Sequence, residues 1–466
     1  MIPLRLSEIA ALTGGDRHGA DVLIDGPVVT DSRQAAAGSL YVARIGEHAD
    51  GHRYAPAAAD AGAVAVLGSR PVDGLPTVVV DDVQRAFAAL ARGVIERCPG
   101  LAVIGITGSS GKTSTKDMLG QLLQRAGETV APVGSLNSEV GVPLTACRIT
   151  PTTMFLVVEM GASGVGHIAY LTRIAPPRIG IVLNVGTAHI GEFGSAAAIA
   201  RTKAELVQAL PDRTRGGVAI LNADDPVVMA MRSKTRARVV SVGLAEDADV
   251  RAADVSLDAD GRPGFTLIGA GAPADGVQVR LGLHGEHQVG NALAVAATAA
   301  ELGVPVETVV DGLASATPVS RWRMEVHRLP SGAILINDAY NANPDSMAAA
   351  LRALAQMGQG RRTVAVLGEM RELGEGSASA HTDVGLLAAE LRIDRVIAVG
   401  AGAAGIAAGA RSGSALVDEA ADVDAAHRML GIPQGGTVVL FKSSRDSGLR
   451  YLGDRVAREA GAEIPT

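Results

Sequence analysis

Aromatic side chains are nearly missing from this chain, which has one Trp, five Tyr and five Phe in 466 residues. Its hydrophobic fraction of 47% must therefore build aliphatic cores, mainly from Ala, Val, Leu and Ile. Cysteine is almost absent too. Cys98 and Cys147 stand far apart, which gives no metal spacing and suits a reducing cytosol. No apolar run reaches the roughly 20 residues that span a bilayer. Residues 1–16 have the pattern of an amphipathic helix with a turn rather than of a signal peptide. Basic charge is not in excess either: the net charge is −7 and no basic stripe occurs, which argues against a nucleic-acid binder.

Lysine is the most telling shortage. Only Lys112, Lys116, Lys203, Lys234 and Lys442 occur among 42 Lys and Arg residues. A chain that takes Arg wherever a surface cation suffices keeps Lys where a slim ammonium, or its distinct chemistry, is required. Lys112 is explained by a phosphate loop, described below. Lys203 and Lys442 become site candidates on this ground alone, whereas Lys116 and Lys234 read as accidental.

What is present is a repeated alternation of strands and helices, at a length that suits two to four domains. Arg97-Cys98-Pro99-Gly100 reads as a linker and residues 315–319 as a second boundary. The resulting units are 1–98, 99–316 and 317–466. In the first, residues 28–30, 39–43, 63–67 and 77–80 read as strands and 54–61 as a helix. Polar groups follow the strands, where open α/β sheets place ligands. Asp31-Ser32-Arg33 fits either such a rim or an Asx turn, and a polar loop at 46–52 carries Asp50. In the last unit, strands at 334–337, 364–367, 396–399 and 438–441 alternate with helices near 346–356, 382–391 and 419–429. That order predicts a mostly parallel, doubly wound sheet. Its strand-end polar clusters are 337–344, with Asp338, Tyr340 and Asn341, and 442–445, with Lys442 and Arg445. Two such rims joined by short linkers suggest a cleft that closes over substrate.

The middle unit is organised around VIGITGSSGKTSTKDM, residues 103–118. An apolar strand breaks at Gly108 into Ser109, Ser110 and Gly111, and Lys112, Thr113 and Ser114 then open a helix. Glycines let backbone N–H groups point inward, and the helix N-terminus favours an anion. Lys112 would reach the β- and γ-phosphates and the Thr113 hydroxyl a Mg²⁺ ion. The loop is tighter than the usual pattern, since Ile106 stands where a glycine is expected. A second strand ends at Glu159, which fits a Mg²⁺ ligand or a helix cap. A third ends near His189, which fits a site or a structural role equally. Lys203 lies on a helix spanning 196–210. Residues 247–280 read as antiparallel hairpins inserted at a rim. Asn291 stands near the start of an Ala-rich helix, where it could face a base or a phosphate or simply cap.

These stretches together resemble the Mur ligase family over essentially the whole chain. Thr30-Asp31-Ser32-Arg33, Asp50-Gly51-His52, the phosphate loop, Glu159-Met160-Gly161, Phe193-Gly194-Ser195, Lys203-Ala204-Glu205 and Asn291-Ala292-Leu293-Ala294 carry the resemblance, with Leu367-Gly368-Glu369-Met370. The tight phosphate loop is the family's own form. DAYNANPDSM, from Asp338, is specific to the branch that joins D-alanyl-D-alanine to UDP-N-acetylmuramoyl-tripeptide. The resemblance implies an α/β fold in three domains: a central P-loop ATPase-like domain, an N-terminal UDP-binding domain and a C-terminal Rossmann-like domain. It implies an ATP- and Mg²⁺-dependent cytoplasmic ligase, expected to be a monomer, that makes an amide through an acyl phosphate. The implied metal ligands are Thr113, Glu159, His189 and a carbamoylated Lys203. Asn291 is similar to an adenine contact, Arg323 to the arginine that meets the γ-phosphate, and Asp338 to a ribose contact with Tyr340 and Asn341 nearby. Ser32, Arg33, Asp50 and Asn137 are implied near the UDP-sugar substrate, and Lys442 and Arg445 near the dipeptide's carboxylate. Departures are Ser138, Gln288, Trp322 and Ser443, where the family commonly has Asn, Asn, Gly and Gly. The alternatives are the ligase that adds the third stem residue, a folylpolyglutamate-synthase-like ligase, and an ATP-driven switch or motor. The DNPR-type stretch characteristic of the first is not found.

Overall fold

Three large sheets follow one another along the chain, in a computed structural model that describes residues 1–47, 49–186 and 190–464. Each is built from short β-branched runs that pair in parallel through intervening helices. The first has five strands in the order Asp16–His18, Thr77–Val79, Ala63–Gly68, Ser39–Val42, Val28–Val29, with only the first pair antiparallel. Leu4–Arg5 pairs separately with Leu23–Ile24, and the expected N-terminal helix runs over Leu6–Thr13. Asp31 accepts from the Arg33 N–H at 3.0 Å, so the Asx turn forms.

The middle sheet has nine strands, in the order Val277–Arg280, Pro263–Ile268, Val250–Leu257, Arg238–Gly243, Val218–Asn222, Ile179–Val182, Ala102–Thr107, Phe155–Glu159, Thr129–Val130. The antiparallel hairpins expected at a rim form its last three strands, 250–280, the first of which joins Arg238–Gly243 in parallel and so extends the main sheet at its edge. The order also locates a site. From Ala102–Thr107 the chain first builds strands on one side, then crosses to Ile179–Val182 on the other. A crevice therefore opens beyond the C-terminal ends of these three strands, where connections diverge.

The last sheet has six strands, and all four expected ones are among them. Glu325–Arg328 adds an antiparallel edge and Leu416–Ala420 a parallel one. The helix expected from 419 starts only at Val423, because Glu419 and Ala420 close that strand and Asp422 caps the helix by accepting from the Ala425 N–H at 2.7 Å.

The three stretches are not independent bodies. Helix Val83–Glu96 buries Phe87, Leu90 and Val94 in a core that continues into Val142, Ile168 and Leu171 of the middle stretch. On the other side, residues 317–320 lie along the phosphate-loop helix Lys112–Leu123. Here Lys116 overturns its expected role. It is 1% exposed, pairs with Asp117, and donates to the Pro132 carbonyl at 3.0 Å and the Ser320 hydroxyl at 3.2 Å. Lys234 is exposed, as an accidental lysine would be.

Candidate active site

All six residues of strand Ala102–Thr107 are buried, so the chain emerges from the sheet centre straight into residues 108–111. Gly111 turns the loop into the helix with φ +82°, and a Cβ there would stand 2.5 Å from Asn291 Oδ1. Only glycine tolerates both conditions. Asn184, which follows strand Ile179–Val182, ties the loop down. Its Oδ1 accepts from the N–H groups of Ser109 and Ser110 at 2.8 and 2.9 Å, and its Nδ2 donates to the Ser110 carbonyl at 3.2 Å. The Gly186 N–H donates to the Ser109 hydroxyl at 2.9 Å. The Lys112 ammonium donates back to the Gly108 carbonyl at 2.6 Å. Burial lowers its pKa, with Glu159 opposing that shift and Arg323 adding to it.

Glu159 is 1% exposed at the end of its strand. Its oxygens accept from the Thr113 hydroxyl at 3.0 Å and from Asn137 Nδ2 at 2.8 Å. Thr113 Oγ1 also lies 3.2 Å from Ser135 Oγ, to which Arg323 Nη2 donates at 3.3 Å. A buried carboxylate and a hydroxyl in mutual contact are hard oxygen donors of the kind Mg²⁺ takes together with phosphate oxygens. Among the described residues no cluster of three or more His, Cys, Asp or Glu could hold a metal without such help. His189 lies outside the described residues.

Lys203, on helix Ala196–Gln208, is 8% exposed and has no hydrogen-bond partner among the described residues. Burial, then the neighbouring Lys112 charge, drives its pKa well below the usual lysine range. Both effects disfavour the charged form of the amine. Glu205, two residues on, instead caps helix His167–Ile174 through the Gly166 and Ala169 N–H groups at 2.7 and 2.9 Å.

The last sheet supplies the opposite wall. Arg323 sits between Trp322 and Met324, both with left-handed backbone at φ 59° and 50°. Its guanidinium lies 4.3 Å from the Tyr340 ring centroid, with Arg445 at 5.8 Å from the same ring. Asp338 accepts from the Met324 N–H at 3.0 Å and from the Lys442 ammonium at 2.6 Å. Lys442 also donates to the carbonyls of Asn341 and Asp338, at 3.2 and 3.3 Å. Every ammonium hydrogen of this 2%-exposed lysine thus has an acceptor within its own rim. That is a different posture from the one expected, a cation waiting for a dipeptide carboxylate. Arg445, exposed on the same rim, has no hydrogen bond among the described residues.

The loop from Gly108 to Ser114, Asn137, Glu159, Lys203, Asn291, Arg323, Asp338, Tyr340, Asn341, Lys442 and Arg445 share one cavity of about 1020 Å³. Ser32, Arg33 and Asp50 do not. Arg33 pairs with Asp31 at 2.6 Å, and Asp50 with His52 at 2.7 Å and Arg70 at 2.5 Å. The Arg70 guanidinium, then His52, holds the Asp50 carboxyl below its usual range. These groups gather on a second polar edge around Tyr41, whose hydroxyl donates to the Gly51 carbonyl at 2.9 Å. Of the first stretch, Gln84 alone reaches the central cavity among the described residues. Gln84 and Tyr170, also on the cavity wall, carry no sequence signal and reach it through long-range packing, whereas Asn184 lies in a stretch (184–189) that shares the family resemblance, Ser135 in the polar loop 135–143 and His287 in the polar start of the Ala-rich helix, none of them with a role of its own.

Comparison with known proteins gives a consistent pattern. Residues 27–94 match the Mur ligase family catalytic domain, 106–299 the Mur ligase middle domain and 322–445 the Mur ligase glutamate ligase domain. A Mycobacterium tuberculosis UDP-N-acetylmuramoyl-tripeptide--D-alanyl-D-alanine ligase is 45% identical over 98% of this chain and 98% of its own. The crystal structure of MurF from Acinetobacter baumannii, at 32% identity, matches with a TM-score of 0.87 over 98% of this chain and 99% of that one. The MurF ligase from Thermotoga maritima, solved in complex with ADP, matches at 28% identity with a TM-score of 0.79, over 94% and 98%.

Proposed function

The chain belongs to the Mur ligase family, and from that premise we propose that it joins D-alanyl-D-alanine to UDP-N-acetylmuramoyl-tripeptide at the cost of ATP, the last step to the pentapeptide precursor of peptidoglycan. The observation that carries this reading is the convergence of Lys112, Thr113 and Glu159 from one sheet with Arg323, Asp338 and Tyr340 from another on a single cavity. The ADP bound to the Thermotoga maritima relative supports ATP as the nucleotide. We place the enzyme in the cytoplasm, where its nucleotide substrates are, and set its domain boundaries at 98/99 and 316/317.

In the reaction, the tripeptide's terminal carboxylate attacks the γ-phosphorus and ADP leaves. Lys112 and Arg323 neutralise charge on the phosphoryl oxygens as the acyl phosphate forms. The residues that would hold Mg²⁺ are Thr113 and Glu159, with His189 a further ligand; when bound, the ion supplies charge neutralisation at the phosphates. The amine of D-alanyl-D-alanine then attacks the acyl carbon, loses a proton and expels phosphate. No Ser or Cys nucleophile is required. Closure of the last domain over the loop would exclude water, which otherwise hydrolyses the acyl phosphate. Asn291 is assigned to the adenine, Asp338, Tyr340 and Asn341 to the nucleotide, and the Ser32, Arg33 and Asp50 edge, with Asn137, to the UDP-sugar end of the substrate. Arg445 faces the dipeptide; Lys442 acts there by holding Asp338 in place.

Lys203 is assigned as the site of a carbamate: the uncharged form of its amine, which burial favours, adds to CO₂ and releases one proton, and the resulting anion would be a further ligand for Mg²⁺. Arg cannot form this adduct, so Lys203→Arg is expected to lower kcat at least about a hundredfold. The same burial costs stability. Between its lowered folded value and the ordinary lysine value of 10.5 the unfolded lysine holds more proton than the folded one, so stability rises with pH until 10.5 is approached. Lys203→Met should therefore raise the Tm of carbamate-free protein at pH 7, by a margin that narrows toward pH 10. Thermal scans in CO₂-free buffer check this.

A phosphate-release assay tests the function. Release should require UDP-N-acetylmuramoyl-tripeptide and D-alanyl-D-alanine together. Equal release without either one would contradict the ligase reading and favour an ATP-driven switch.

A further inference from the structure

Arg323 reaches the phosphate loop from a segment that is itself tied to the phosphate-loop helix. One helical turn separates Lys112 and Thr113 from Lys116 and Asp117, which puts each pair on one stripe of Lys112–Leu123. Asp117 Oδ2 accepts from the Ser320 N–H at 2.9 Å, and Lys116 donates to the Ser320 hydroxyl at 3.2 Å. Farther along, Gln121 exchanges two hydrogen bonds with the Thr317 backbone, at 2.9 and 3.1 Å. Only Arg321 and Trp322 separate Ser320 from Arg323. Trp322 is pinned by its N–H to Glu325 and its indole N–H to Asp454, both at 3.0 Å. The Arg323 guanidinium then returns to Ser135, which contacts Thr113. The contacts thus close a ring that begins and ends in the first two turns of one helix.

We propose that Lys116, Asp117 and Ser320 are positioning residues that fix the span between the phosphate loop and Arg323, an assignment that rests on the role given to Arg323 above. Lys116 meets three acceptors, Asp117, the Pro132 carbonyl and the Ser320 hydroxyl, which matches the three hydrogens of an ammonium. An arginine there would leave two of its five N–H groups without partners in a buried site. This accounts for a lysine in a chain that otherwise takes arginine. The side-chain hydrogen bonds of this node of Lys116, Asp117 and Ser320 go to one another, to Pro132 and to backbone, and none goes to a side chain assigned to nucleotide or substrate among the described residues. The node's effect passes through the placement of Arg323, on which rate depends steeply, since a 1 Å error costs about a hundredfold.

The test uses full-length Lys116→Met, Lys116→Arg and Ser320→Ala proteins. Three quantities are measured: kcat for ligation, the Kd of ADP, and acrylamide quenching of Trp322, the one tryptophan of the chain. Both Lys116 variants should lose at least about tenfold in kcat while Kd for ADP stays within about twofold. Trp322 should become more accessible to quencher. Ser320→Ala keeps the N–H bond to Asp117 and should lose about threefold in kcat, which covers the case where a Lys116 variant does not fold. Unchanged kcat and quenching would overturn the proposal. So would parallel losses of kcat and ADP affinity, the mark of a merely distorted helix. A wild-type protein that forms no amide would refute the ligase reading instead; quenching and ADP binding would still decide whether the node holds this segment.

Discussion

Lys112→Ala is expected to lower kcat by at least about a thousandfold, a loss of about 4 kcal/mol of transition-state stabilisation. The lysine stands at the first position of the helix that follows strand Ala102–Thr107, with its ammonium inside the loop on the Gly108 carbonyl. That bond is a parking place: a triphosphate entering the loop offers oxygens of higher charge at the same reach. As the γ-phosphorus passes from ADP to the carboxylate, negative charge concentrates where the ammonium can meet it, in a site that domain closure would shield from water. Lys112→Arg should not rescue, because a wide planar fork replaces a point charge in a loop closed by Asn184 and Asn291. Folding should survive the change. Burial already disfavours the charged amine, so Lys112→Ala should not lower Tm. Steady-state kinetics beside a thermal scan separates lost chemistry from lost structure.

The second large effect is at Arg323. Arg323→Ala should reduce kcat by about a thousandfold, in the range found for arginines that stabilise phosphoryl transfer from a separate element. Unlike Lys112, it should leave the Kd for ADP nearly unchanged, because Arg323 belongs to the other wall and is assigned to the transferring group. Arg323→Lys should recover little. The planar guanidinium lies 4.3 Å from the Tyr340 ring centroid, reaches Ser135, and has a buried Nε without a partner among the described residues. An ammonium cannot stack, bridge and donate in this way at once. Equal loss of ADP affinity and kcat would move Arg323 from the transferring phosphoryl group to the bound nucleotide.

How far the sequence could be read depended on how local each cause was. The phosphate loop was legible because strand, glycine and helix are adjacent in the chain. Glu159 was found because a carboxylate at the end of an apolar run is marked by position. The scarcity of lysine singled out Lys203 and Lys442, which both line the cavity, and passed over Lys116, whose partner Ser320 lies 204 residues away. No window of sequence contains that contact. A separation of 55 residues likewise hid Gln84, which crosses from the first stretch to donate to the Glu139 carbonyl at 2.6 Å. In the last sheet the four buried strands showed as apolar runs, while Glu325–Arg328 and Leu416–Ala420 are edge strands with mixed patterns that did not. Trp322 was noted only as a departure from the family pattern. Its left-handed backbone is held by Glu325 and Asp454, the latter 132 residues away.

The central claim is that the cavity lets a peptide carboxylate attack ATP directly. Ligation with UDP-N-acetylmuramoyl-tripeptide carrying ¹⁸O in its terminal carboxylate tests this most directly. Each phosphate released should carry a single ¹⁸O from the peptide, since one carboxylate oxygen becomes the bridge of the acyl phosphate and leaves with phosphorus. Phosphate without the label, formed at the same rate as the amide, would mean that water attacks ATP and that the walls bearing Lys112 and Arg323 do not serve one reaction.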